Sequence, residues 1–372
     1  MRKFAFVIVL TLAMFLSGCE KYREVENLAY VIILGVDLAE DDQIQISALI
    51  PKITEDSGSE SGESSDSNHQ VYAAAGTNFD AALNRLHWVV PRQVDLSQVK
   101  VIMLSERLAR SGLFMPVAYA MMETYHLYTA ARLVICEGEA QTFIESENET
   151  LGTRIATDLD AMFEDYTSQA LIPDGQFADV FYMSASIYSD PIAIYSPSSE
   201  TAAASVIIPQ FADQSGDIQP QKNRFLGACV FRNGTMRGVL TAEDTLYCKL
   251  LRGKSQSFQV DSDLETLYLA MSTAPSIRVD SQSDPVRISV DMCLSLQKKS
   301  ECANTNQIAQ MLRERILATI DRCKRMGVDP FQFADVAAGG FATIGEWLDY
   351  DWHSHFSDSE VELRIQIIDE AA

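Results

Sequence analysis

A largely apolar run of thirteen residues, 4 to 16, follows Arg2 and Lys3 and leads through Ser17 and Gly18 to Cys19, and this opening limits what the rest of the chain can become. A positive start, a short apolar stretch and small residues before a cleavage point make a secretory signal. A membrane-crossing helix needs about 20 apolar residues, so the run is too short to stay behind as a span. Beyond Cys19 no uninterrupted apolar stretch approaches spanning length. Residues 1 to 18 are therefore expected to be removed, and residues 19 to 372 to fold as a water-soluble body outside the cytoplasm.

Leu16-Ser17-Gly18-Cys19 resembles a bacterial lipoprotein signal, with cleavage between Gly18 and Cys19 and a diacylglyceryl group on the Cys19 thiol. Two acyl chains hold a protein on a bilayer where one chain is marginal, because each buried methylene contributes roughly 0.8 kcal/mol. The body itself offers little attraction to phosphates. Net charge is −23, and without Arg2 and Lys3 it is −25, a balance that repels nucleic acid and anionic headgroups alike. Removing 18 of the 372 residues leaves 354, too many for one core and enough for two or three domains.

Hydrophobic periodicity divides the body further. Residues 28 to 36 form a continuous β-prone run, and Ile44, Ile46, Ala48 and Ile50 alternate behind a turn at Ala39-Glu40-Asp41-Asp42, which predicts an antiparallel hairpin. Residues 54 to 68 are acids, Ser, Gly, Thr and Asn, a composition that predicts a disordered loop. Thr77 is the expected cap of a helix carrying Phe79, Leu83, Leu86 and Val90 and ended by Pro91. A strand over 99 to 104, a helix over 114 to 127 and a strand over 131 to 136 follow. Residues 145 to 200, broken by Pro173, Asp174-Gly175, Pro191 and Pro197, read as a helix over 153 to 166 and then connecting segments.

The downstream signals are sharper. Asn233-Gly234 sits between the apolar runs 227 to 232 and 235 to 240, and both turn positions of such a hairpin favour positive φ. Thr241 with Asp244 should cap the next helix, which Gly253 stops. Val286, Ile288, Val290, Met292, Leu294 and Leu296 alternate with mostly polar residues, as in a half-buried antiparallel strand. A helix over 306 to 326 with Ile308, Leu312, Ile316 and Ile320 inward ends at Gly327, and Val361, Leu363, Ile365 and Ile367 mark a last strand. The expected fold class is α+β: three consecutive domains built on largely antiparallel or mixed sheets packed with helices. Their expected bounds are 19 to 195 (with the loop 54 to 68), 196 to 275 (a small hairpin and helix module) and 276 to 372.

No Gly-x-Ser-x-Gly, phosphate-cradling loop or dinucleotide fingerprint occurs, so an enzyme is not expected. His353-Ser354-His355, near Asp349, Asp351 and Asp358, is the one constellation suited to a metal if it lies on a strand; a polar loop after Trp352 is the preferred reading, and neither a metal nor a free cofactor is expected. Beyond Cys19 six cysteines remain. Cys136 and Cys229 lie in apolar strand-like runs and read as buried thiols, with disulfides as the alternative in an exported chain.

In order along the chain, Cys19, Arg23-Glu24, Leu28-Ala29, Gly35-Val36-Asp37, the segment 99 to 106, Gly227-Ala228 with Val230-Phe231, Gly238-Val239-Leu240, Asp329-Pro330-Phe331-Gln332-Phe333, Trp347 and Asp351-Trp352 resemble the motifs of the Ger(x)C lipoproteins, the C subunits of spore nutrient germinant receptors. The chain departs from that pattern in having Glu20-Lys21 where members carry Trp-Asp, and in the acidic loop 54 to 68. The resemblance implies a body tethered to the outer face of the spore inner membrane, associated with two integral membrane subunits, A and B, with no enzymatic activity, no nucleic acid and no small-molecule substrate bound directly. Arg23, Glu24, Trp347, Asp351 and Trp352 are then candidate partner contacts, although Trp347, Trp352 and Phe356 also suit packing inside the last domain. The alternative function is a stand-alone solute-binding lipoprotein.

Overall fold

The computed structural model describes residues 27–52, 69–198 apart from 125 and 152–154, 225–298 apart from 256, 263 and 264, residue 300, and 304–369. Cys19, Gly18, Arg23, Glu24, Cys302 and the loop 54 to 68 lie outside the described residues. Two sheets dominate, with a short parallel pair, β1 (Leu28–Tyr30) with β5 (Gln93–Asp95), beside them.

The larger sheet has eight strands. Its centre is parallel: β2 (Ile33–Leu38), β6 (Val101–Ser105), β7 (Arg132–Cys136) and β8 (Ile192–Ser196) run side by side. These strands are buried almost throughout, as expected where both faces are covered. Antiparallel strands extend both sides, β3 (Ile44–Pro51) and β4 (His69–Gly76) beyond β2, and β9 (Ala228–Arg232) and β10 (Thr235–Leu240) beyond β8. One face packs on α1 (Phe79–Val89), α2 (Glu106–Arg110), α3 (Phe114–Glu123) and α6 (Phe177–Ala185) through residues such as Phe79, Leu86, Phe114, Met121, Phe177 and Val180. The opposite face packs on α4 (Ala140–Leu151) and α5 (Ile155–Ser168) through Phe143, Ile144, Leu159 and Phe163.

The smaller sheet orders β11 (Ser257–Asp261), β12 (Thr266–Asp280), β13 (Arg287–Leu296) and β14 (Glu360–Asp369). The alternation at 286 to 296 does form β13, antiparallel to β12 and parallel to β14. Its buried face meets α8 (Thr305–Met326), whose Ile308, Leu312, Ile316 and Ile320 are inward and whose end is set by Gly327 at φ 66°. α7 (Ala242–Leu251) lies between the sheets, and three short helices, α9 (Phe333–Ala338), α10 (Ile344–Asp349) and α11 (Trp352–Asp358), precede β14.

Several expectations need correction. The middle module is not a sheet of its own, because β9 bonds to β8 and so adds the hairpin to the larger sheet. The border expected after residue 195 therefore falls at the end of β8, inside that sheet, and the border after 275 falls inside β12. Among the described residues two units, not three, result, and one apolar cluster runs from Ile192, Ala228 and Val230 through α7 into the smaller sheet. The run 28 to 36 splits into β1 and β2. Asn78, not Thr77, caps α1, its Oδ1 accepting from the Ala81 amide at 2.9 Å. The segment after Trp352 is helix α11, not a loop.

Candidate functional site

The motif residues of the last hundred positions converge on one buried polar junction between the two units. Gly327 turns the chain out of α8, and Asp329 follows at 1% exposure. Its carboxylate accepts from the amides of Phe331 (3.1 Å), Phe333 (3.4 Å) and Ala334 (2.7 Å) and from Trp352 Nε1 (3.1 Å). Asp190, in the segment leading into β8, accepts from the Asp329 amide at 2.7 Å and meets His353 Nε2 at 2.8 Å. Arg252 donates to the carbonyls of Pro330 and Asp190, so the end of α7 is tied to both units. Burial, with the nearby Asp190 charge, pushes the Asp329 carboxyl up to about 6 against the pull of its N–H donors.

Aromatic rings close the junction. Trp352 stacks against Trp347 at 6.0 Å and Phe356 at 5.7 Å, and Phe333 packs on Phe331 and Phe356. Trp347 donates through Nε1 to the Ile187 carbonyl at 3.1 Å, so it grips the larger unit. Trp347 and Trp352 are each 4% exposed and Phe356 is fully buried. That corrects the two tryptophans as partner contacts: they join the units from within. Asp351 remains exposed, at φ 48° before α11, with Ser354 donating to its carboxylate.

A void of about 30 Å³ borders Ser189, Asp190, Asp329, Trp352 and His353, room for about one water. His353 faces Asp190 while His355 stacks on the Tyr350 ring at 4.0 Å, so the helix turns apart the two histidines that a strand would have aligned. Among the described residues no group of three or more His, Cys, Asp or Glu side chains could hold a metal ion. A larger cavity, about 500 Å³, opens elsewhere, beside Leu38, Asp42, Phe79, Leu113 and Val117.

The other motif residues are builders. Asp37 accepts from the amides of Ala140 (2.7 Å) and Gln141 (3.1 Å) and so anchors the start of α4, although burial raises its pKa. A Cβ on Gly35 would lie 2.3 Å from Ser47 Oγ, and one on Gly238 would lie 2.2 Å from Met326 Sδ. Cys136, Cys229, Cys248 and Cys323 are buried free thiols, and Cys293 is half-buried. Burial pushes the Cys136 and Cys229 thiols far above their ordinary range, which leaves them unreactive. Sequence reasoning missed Asp190 and Arg252. Asp190-Pro191 read as a chain breaker, and nothing local marked either residue as a partner of a segment some 80 to 140 residues away.

Among the described residues no helix is long and apolar enough to cross a membrane. Residues 21–195 match the family model described as the N-terminal domain of spore germination proteins, and residues 226–368 match the one described as spore germination B3/GerAC like, C-terminal. A putative spore germination protein of Bacillus subtilis (strain 168), YfkR, is 19% identical over 380 residues, covering 96% of this chain and 93% of that protein. The crystal structure of the GerBC protein superposes with a TM-score of 0.54 at 14% identity, covering 91% of this chain and 96% of that one.

Proposed function

The chain belongs to the Ger(x)C, or GerAC, family of spore germination proteins, and from that membership we propose that it is a lipid-anchored, non-catalytic subunit of a spore nutrient germinant receptor. It acts by assembly with the integral membrane A and B subunits on the outer face of the spore inner membrane. The observation that carries this reading is where the matches fall: the first begins at residue 21, two residues after Cys19, and the second ends at 368. The family body thus starts directly behind Cys19, where the proposed lipid would be attached. A diacyl anchor would raise the effective concentration of that body near its partners, and coupling of nutrient occupancy to germination would be a population shift in the complex. The buried junction around Asp329 supports the assembly role, because it fixes two units into one surface rather than opening a site to solvent. Replacing Cys19 by Ala in the native spore former should release the protein from the membrane fraction and slow germination; membrane retention and normal germination would overturn the reading.

The cavity of about 500 Å³ favours one second reading, capture of a small solute, since ligand pockets span about 300 to 1,000 Å³. A thermal-shift series against amino acids and sugars separates the two: a dose-dependent rise in Tm supports capture.

A further inference from the structure

The first described strand and an exposed tryptophan meet at one edge of the larger unit. Trp88 is 80% exposed and Val89 is 50% exposed, at the last turn of α1. Trp347 and Trp352, the other tryptophans of the chain, are buried. Pro91 and Arg92 follow directly, and Gln93 then pairs with Leu28 at the start of β1. The Arg92 guanidinium donates to the carbonyls of Leu28 (3.0 Å) and Pro51 (3.1 Å), which pins the end of α1 to the first strand.

Covalent reach fixes what lies near this edge. Asn27 is eight steps along the chain from Cys19, so Cys19 is within about 28 Å of it at roughly 3.5 Å per step. Trp88 is four residues from Arg92, or within about 14 Å. A lipid on Cys19 therefore lets the bilayer surface reach the edge that carries Trp88. Exposed indoles favour the headgroup level, where an apolar ring and an N–H donor are both accommodated.

We infer that the Trp88–Val89 edge rests in the headgroup region of the bilayer and, with the Cys19 anchor, orients the body on the membrane. The inference rests on the anchored reading above. Its lipid chemistry is that of an uncharged interface. Pro51 and His69, which flank residues 53 to 68 in the sequence, pair at this same edge, and the sequence between them has five acids, whose charge opposes anionic headgroups. Insertion of an indole needs no such attraction.

The test uses the mature chain, 19 to 372, with Cys293 and Cys302 replaced by Ser and Cys19 coupled to maleimide-bearing lipid in phosphatidylcholine vesicles. This tether is chemical, so the result does not depend on whether cells lipidate Cys19; that question is settled separately by the mass of the native N-terminal peptide. Acyl-brominated phosphatidylcholine should quench Trp88 emission about two-fold, with no quenching in the Trp88→Phe variant, whose remaining indoles are buried. Phosphatidylglycerol in the vesicles should weaken the quenching. Unchanged emission with brominated lipid while the protein cosediments with vesicles would overturn the inference, as would equal quenching of Trp88→Phe. Acrylamide access to Trp88 that is the same for tethered and free protein would also overturn it, and would leave the edge to a protein partner.

Discussion

Asp329 shows how much a single carboxylate can organise. Four donors converge on it while burial and the Asp190 charge disfavour its ionised form. For a carboxyl whose folded pKa, about 6, lies above its ordinary value of 3.8, the fold favours the protonated state. The associated stability is present below about pH 4 and lost as pH rises through 6, for a total of about 3 kcal/mol. The difference in unfolding free energy between the wild type and Asp329→Asn should therefore fall by about that amount between pH 4 and 7. Taking the difference cancels the bulk titration of the chain and leaves the local partners Asp190, His353, Arg252 and Asp335 in common. A difference that is flat, or that rises with pH, would contradict the assignment. Gly35→Ala tests a steric claim. Its new methyl would meet Ser47 and Ile144, and overpacking of this kind costs about 1 to 3 kcal/mol in urea denaturation. Both residues stood out in the sequence as members of a motif, but their reasons did not: the clash and the donors come from segments distant in the chain.

Elements were legible where their signals are local. The Asn233-Gly234 hairpin forms with both residues at positive φ, and Thr241 with Asp244 makes the expected capping box. The structure adds that Asp244 also accepts from Thr319 (2.7 Å) and pairs with Arg322, so this N3 residue clamps α7 to α8. Thr241→Ala should cost about 1 kcal/mol, whereas Asp244→Ala, which strands the partner groups as well, should cost about 3 kcal/mol. Equal losses in chemical denaturation would show that the clamp carries no weight. Elements whose cause lies elsewhere were not legible. α4 is anchored by Asp37, a hundred residues upstream, and β8 becomes a strand because β7 and β9 lie beside it. β12 contains Pro275 and register shifts beyond Met271, and its outer half is largely exposed, so only its pairing with β13 identifies it.

At the scale of the whole molecule, the sequence carried the class of fold and the family but not the division into units. A hairpin reads the same whether it stands alone or extends a larger sheet, and the pairing of β9 with β8 decided between two units and three. The result is one body whose units share the apolar cluster around α7 and the polar junction at Asp329. Thiol chemistry can test that packing. Cys136, Cys229, Cys248 and Cys323 should stay unlabelled by an aromatic disulfide reagent until the chain unfolds, while Cys293 reacts sooner. Rapid labelling of the four under native conditions would mean that the cores open readily. The central claim, a tethered subunit working through membrane partners, is met most directly by capturing the protein from spore membranes in mild detergent and analysing the captured material by mass spectrometry. The account predicts an N-terminal peptide beginning at a diacylglyceryl-modified Cys19, recovered together with integral membrane subunits. An unmodified thiol at Cys19 in protein recovered alone would contradict it.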